Sequence, residues 1–75
     1  MNYPAFVFHE LVFRLSEINP RIGSYDSCSV QDNTFLIRTS NGHMRVDADI
    51  ISKQYTNPKL LSKPDLALLV SRFEQ

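Results

Sequence analysis

The chain has 75 residues, of which 43% are hydrophobic and 21% charged, and this composition predicts one small globular domain over residues 1–75. Eight basic residues balance eight acidic ones, so no net field gathers phosphates or anionic lipids. A single cysteine excludes an internal disulfide, and no apolar run is long enough to span a bilayer. Because no basic leader precedes the first apolar stretch, we expect a cytoplasmic protein.

The first predicted element is a helix over residues 4–18. Proline is favoured at the first helical position, where Pro4 stands, and Pro20 prevents the helix from continuing. The apolar residues at helical spacing are Phe8, Leu11, Val12, Leu15 and Ile18. A strand over residues 5–8 is the alternative, since Phe-Val-Phe favours β structure.

The middle of the chain predicts a β-hairpin, because Asn41-Gly42 separates two strand-like segments and suits a two-residue type I′ turn. That turn would place Ile37 opposite Val46 and Arg38 opposite Arg45. One face would then carry Phe35, Ile37, Thr39, Met44, Val46 and Ala48. The other face would carry Thr34, Leu36, Arg38, Ser40, His43, Arg45, Asp47 and Asp49.

A second tight turn at Asp32-Asn33 would add a strand before this hairpin and complete a three-stranded meander. It would place Val30 opposite Phe35, so that the same apolar face continues. Cys28 would lie on that face as well. The polar side of the added strand would carry Tyr25, Ser27 and Ser29.

The last part of the chain predicts a turn-rich connection around Asn57-Pro58 and then a second helix. Ser62 is a suitable N-cap, and Asp65 follows it by three residues. The apolar residues at helical spacing are Leu66, Leu69, Val70 and Phe73. The predicted fold is therefore α+β, a helix, a three-stranded antiparallel meander and a helix, with both helices on one face of the sheet.

This order of elements resembles that of the double-stranded RNA-binding domain, which also has a similar length. The resemblance implies contact with RNA through a Lys-rich stretch that opens the second helix. The corresponding residues here are SKPDLALL, in which Lys63 is followed by Pro64 and Asp65. Because this departure removes the main phosphate contact, RNA binding is not carried over.

No catalytic, metal or cofactor motif is complete in the sequence. His9-Glu10 begins an HExxH zinc motif, but Phe13 stands where the second histidine is needed. Cys28 is predicted on an apolar strand face, where a free cysteine is usually inert. Asp47 and Asp49 have no evident third ligand. We therefore expect no enzyme, no metal, no cofactor and no small-molecule substrate.

Two phenylalanines of the first helix are predicted to point away from its core-facing side. Phe6 and Phe13 are seven residues apart and nearly aligned on the helix, with His9 on their flank. An exposed aromatic stripe with a polar rim is the pattern of a contact surface. In the alternative, residues 53–61 or the second helix cover both phenylalanines.

The polar sheet face offers a second candidate site, an anion or partner patch of Tyr25, Arg38, His43 and Arg45. The leading interpretation is a small non-catalytic interaction module, an adaptor, regulator or inhibitor, that docks on a larger protein or forms a homodimer through Phe6, His9 and Phe13. The alternative is nucleic-acid binding through the sheet patch. Neutral net charge disfavours that alternative, because phosphate contacts dominate such affinity.

Overall fold

The computed structural model describes residues 3–57 and 61–75. It confirms the predicted α+β class: a helix, three antiparallel strands in the order β1-β2-β3, and helices packed on one side of the sheet. The elements are α1 (Ala5–Ile18), β1 (Tyr25–Gln31), β2 (Thr34–Thr39), β3 (His43–Asp47), α2 (Ala48–Thr56) and α3 (Lys63–Val70), with a 3-10 turn at Pro20–Ile22.

The predicted first helix is confirmed, and the alternative strand over residues 5–8 is wrong. Pro4 has an extended backbone and stands just before α1, which starts at Ala5. The helix ends where the N–H of Asn19 donates to Leu15 O at 2.9 Å. Its buried residues are Val7, Phe8, Leu11, Val12 and Leu15. Four of the five residues of the predicted stripe are therefore confirmed, whereas Ile18, in the last turn, is 44% exposed and its predicted burial is wrong.

The core lies between the helices and the apolar face of the sheet. Each strand residue predicted to face the helices on β2 and β3 is buried, because the alternation of side chains along a strand keeps one face apolar. The buried hydrophobic residues outside α1 are Ile22, Phe35, Ile37, Met44, Val46, Ile51, Leu61, Leu66 and Leu69.

The predicted register between β2 and β3 is wrong by two residues, although both faces are right. Ile37 pairs with Met44 instead of Val46, and Arg38 pairs with His43 instead of Arg45. The predicted turn at Asn41-Gly42 does not form, because the chain reverses one residue earlier, over Ser40-Asn41. There the Thr39 N–H donates to Gly42 O at 2.8 Å and the Thr39 hydroxyl accepts the Gly42 N–H at 3.2 Å. A shift of two preserves side-chain parity, so no residue changed face.

The first hairpin has the predicted register, with Val30 opposite Phe35. Its turn places Asp32 at φ 55, a left-handed conformation that aspartate tolerates. Near the start of β1, however, a bulge separates Tyr25 from Ser27. The bulge reverses the parity of Tyr25, whose ring packs against the core instead of joining the polar face.

A helix absent from the sequence prediction, α2, follows β3 without an intervening loop. The Ala48 N–H donates to Asn33 O at 2.7 Å as the strand becomes a helix. The helix buries Ile51 and Gln54 and occupies most of the segment assigned to a turn-rich connection. It also departs from the element order of the double-stranded RNA-binding domain. Of the predicted turn at Asn57-Pro58, Pro58 lies outside the described residues.

The cap predicted for the last helix is confirmed, since the Ser62 hydroxyl accepts the Asp65 N–H. The helix α3 ends at Val70, before Phe73. The following residues form a C-terminal segment, residues 71–75, in which Glu74 makes an antiparallel bridge to His43 on the outer edge of β3. Two backbone hydrogen bonds of 2.8 and 2.9 Å join this pair.

Candidate functional site

The outer face of α1, defined by Phe6, His9 and Phe13, is exposed. The side chains of Phe6 and Phe13 are 59% and 64% exposed, even though α2 and α3 both pack against α1. The helical phase explains this: the buried stripe of α1 lies on the opposite side of the helix from both rings. The alternative, that the last helix or residues 53–61 cover the phenylalanines, is therefore wrong for α3 and for the described residues of that range, and residues 58–60 lie outside the described residues.

The N-terminal end of this face is enlarged by tyrosines. The ring of Tyr55 on α2 lies with its centroid 6.5 Å from that of Phe6, and it is itself 48% exposed. Tyr3 makes edge contacts with Tyr55 and with the buried ring of Phe35, at centroid separations of 5.7 and 5.6 Å. These contacts connect the exposed aromatic surface to the core.

The other end of the face is bounded by Tyr25, the residue that sequence reasoning assigned to the sheet patch. Its ring stacks on Phe8 at 6.0 Å and contacts the His9 ring at 4.5 Å. Burial, followed by the charges of Cys28 and Asp26, raises the pKa of Tyr25 above its ordinary value of 10.0, so the phenol stays neutral. Tyr25 therefore presents a neutral ring that packs against His9 at the rim of the α1 surface.

A hollow of about 210 Å³ lies beside Phe13, between α1 and the start of β1. Its wall includes His9, Phe13 and Tyr25 together with the backbone at Gly23. The outer face of α1 thus combines two projecting aromatic rings with an adjacent recess. A partner's apolar side chain could enter that recess while Phe13 packs against the partner, which is how interface anchors usually bury their area.

The charged flank of the same face is acidic. Glu10 and Glu17 lie on the side of the phenylalanines away from His9. An amphipathic helix that binds anionic membranes carries lysine and arginine on its polar face. The outer face of α1 has the opposite charge, which favours a protein contact over a lipid contact. Among the described residues, no helix has the length and apolar character needed to cross a membrane.

The predicted sheet patch is only partly assembled. Arg38, His43 and Arg45 do share the polar face, but Tyr25 lies on the other side, and the facing arginine pair does not form because Leu36 is opposite Arg45. The His43 Nε2 atom lies 3.3 Å from Glu74 Oε2.

Acidic side chains also line the cleft beside this patch. It has a volume of about 410 Å³, and its wall mixes Arg45 and Arg72 with Asp47 and Glu74. Arg72 lies 3.9 Å from Asp47. The cleft therefore lacks the unopposed positive charge that anion binding needs.

Neither a metal-ligand cluster nor a reactive thiol is assembled in the described part of the chain. No three His, Cys, Asp or Glu side chains of those residues gather as a metal site would require. Burial raises the pKa of the Cys28 thiol to about 11, which keeps it protonated and weakly nucleophilic at neutral pH. Comparison with protein-family models, curated proteins and solved structures finds no match for this chain.

Proposed function

We propose that this protein is a non-catalytic cytoplasmic interaction module that binds a protein partner through the outer face of α1. The observation that carries the proposal is the exposure of Phe6 and Phe13 beside a core that is complete without them. Two large rings left in water on one helix face lower the solubility of a chain unless they are covered in a complex. The neighbouring recess and the neutral Tyr25 ring add shape and apolar area to the same surface.

The first test asks whether the two rings belong to the fold. We expect the Phe6→Ala/Phe13→Ala double variant to unfold in urea within ~1 kcal/mol of wild type, as exposed substitutions usually do. Phe8→Ala is the buried comparison and should destabilise the monomer by ~3–5 kcal/mol. An unfolded double variant, measured as a monomer, would show that the rings are structural and would remove the basis of the proposal.

The second test asks whether the rings bind a partner. Immobilised wild-type protein and variants are exposed to the same native extract, and captured proteins are quantified by mass spectrometry. A specific partner should fall at least tenfold on the double variant, because anchors at an interface centre contribute ~2 kcal/mol or more each. Leu68→Ala is the matched control, since Leu68 on α3 is also 64% exposed but lies outside this face. Equal capture by the double variant and the Leu68 variant would contradict the proposal.

A further inference from the structure

The outer edge of β1 is unpaired in the described part of the chain. The strand spans seven residues, and its side chains are exposed or half-buried throughout. No backbone hydrogen bond among the described residues joins this edge to another segment, whereas β3 has the Glu74 bridge on its outer edge. An uncovered strand edge presents N–H and C=O groups that can pair with a further strand.

The ladder identifies which backbone groups point outward. Gln31 and Thr34 flank the two-residue turn and form a hydrogen-bonded pair, so Ser29 also bonds inward to β2. The intervening residues, Cys28 and Val30, then direct their N–H and C=O groups away from the sheet. The other side of the sheet gives the same alternation, because β3 uses the outward groups of His43 to bind Glu74.

The composition of this edge lacks the usual protections. Natural edge strands are blocked by lysine, by proline, by an inward-pointing charge or by a bulge. The bulge of β1 lies before Ser27. The segment from Ser27 to Gln31 contains none of these. It also carries Val30, which is 59% exposed on the helix side of the sheet.

We propose that the β1 edge is a self-association surface, on which a second copy of this chain pairs antiparallel about a dyad at Ser29. In this register Cys28 lies opposite Val30 of the second copy, and Val30 lies opposite Cys28 of the second copy. Both residues have outward groups, so two hydrogen-bonded pairs with four bonds form. A dyad at Cys28 or at Val30 would produce one such pair and two bonds.

The register is also self-complementary in its side chains. Ser27 faces Gln31 of the second copy, and Ser29 faces its own equivalent, so every facing position in the paired segment is neutral. The exposed Val30 side chain is covered on the helix side. At each end of the paired segment Asp26, in the bulge, faces Asp32 of the second copy, in the turn. Both carboxylates are exposed, so dissolved salt screens their repulsion. A peptide strand from another protein would meet the same backbone groups but not this two-fold match.

Single-cysteine variants test the register. In the Cys28→Ser background, Ser29→Cys places two thiols across the dyad in a non-hydrogen-bonded pair about 4.5 Å apart at Cα, within the range for a disulfide. The wild-type Cys28 pair, and a pair made by Val30→Cys in the same background, would lie roughly 8 Å apart at Cα, beyond that range. We expect the variant with cysteine at position 29 to form a disulfide dimer at least tenfold faster than the other two under mild oxidation.

The mass of the untreated protein tests the association itself. Light scattering from micromolar to millimolar concentrations should show a dimer for wild type and for Val30→Thr, which keeps a β-branched neutral side chain. Val30→Lys should weaken dimerisation at least tenfold with an unchanged circular dichroism spectrum. Val30 is exposed in the monomer, and in the dimer each added charge would pack against Cys28 of the second copy, about 8 Å at Cα from the other lysine. A monomer at all concentrations, or fastest oxidation at position 28 or 30, would overturn the proposal.

Two variants distinguish dimerisation through the β1 edge from partner binding through the outer face of α1. The Phe6→Ala/Phe13→Ala variant should dimerise as wild type does, and Val30→Lys should still bind the partner of α1. Loss of the dimer only in the phenylalanine variant would move self-association to α1 and refute the edge assignment.

Discussion

Cys28 has its side chain on the helix side of β1, and this position controls its chemistry. Burial raises the thiol pKa from 9.0 to about 11. A thiol is nucleophilic only as the thiolate, so reactivity follows the fraction ionised. At pH 8 a shift of this size reduces that fraction roughly a hundredfold.

We therefore expect dilute native protein to react with iodoacetamide roughly a hundredfold more slowly at pH 8 than the urea-unfolded chain. The native rate should rise about tenfold per pH unit until pH approaches 11. The measurement is mass spectrometry of the alkylated chain over time. A native rate equal to the unfolded rate would show that the thiol is as accessible and acidic as in a free peptide.

The same shift links stability to pH. The thiol in the unfolded chain ionises near pH 9, whereas the folded thiol stays protonated until about 11. Between these values the folded state binds more protons, so the free energy of unfolding must fall as pH rises. Cys28→Ser should lessen this fall, measured by urea unfolding at pH 8 and pH 10.5. The raised pKa of Tyr25 adds to the fall with the same sign.

Single residues also show where sequence reasoning reached its limit. The exposure of Phe6 and Phe13 followed from periodicity, because residues seven apart lie on one side of a helix and the buried residues Phe8 and Leu15 lie on the other. Tyr25 was misplaced because one bulge reverses side-chain parity, and no glycine in β1 marks the bulge. Arg38 kept its predicted face but not its partner, since the partner depends on where the turn lies and the face only on parity.

Among the elements, the second hairpin is coupled to the C-terminal segment through Gly42. Gly42 does not adopt a positive φ, so the type I′ explanation for this glycine is wrong. It is needed for space: a Cβ there would collide with Glu74 O and lie 2.7 Å from Phe73 Cζ. The segment therefore crosses the hairpin loop in close contact with its backbone.

We expect Gly42→Ala to destabilise the protein by about 1–3 kcal/mol, because the backbone of the segment must move. Hydrogen exchange should show faster exchange of the His43 and Glu74 amides, while the Met44 amide keeps its protection. Asn41→Ala, at the neighbouring exposed position, is the control and should change neither quantity. Unchanged exchange in the Gly42 variant would contradict the coupling.

The junction between β3 and α2 explains why the sequence pattern did not predict α2. Neither glycine nor proline separates β3 from α2, and the Asp47 side chain makes no capping hydrogen bond. Strand parity could therefore be extended through Ile50 without conflict. Helical spacing of Ala48, Ile51 and Tyr55 was the signal available, and it competes with turn signals at Asn57.

For the molecule as a whole, the two proposed surfaces have different physical origins. The outer face of α1 offers side-chain area, and the edge of β1 offers backbone hydrogen bonds. Side-chain surfaces can be found from helical periodicity, as Phe6 and Phe13 were. Whether a strand edge is open depends first on strand order, and the predicted meander gave that order. It also depends on which segments cover each edge, and the sequence did not predict the contact between Glu74 and His43.

The Glu74 bridge makes the two edges of the sheet unequal. With β3 bridged at His43, and with the exposed charged side chains of Arg45 and Asp47 along the rest of that edge, we expect a β1-to-β1 contact to stop at two molecules. Deletion of residues 73–75 would expose a second edge, and head-to-tail contacts between unlike edges do not close. We expect that variant to form thioflavin-positive filaments on concentration, and Val30→Lys in the same variant to suppress them. Filaments from the Val30→Lys variant would show growth by another route. Three residues at one strand edge would then decide between a finite assembly and an endless one.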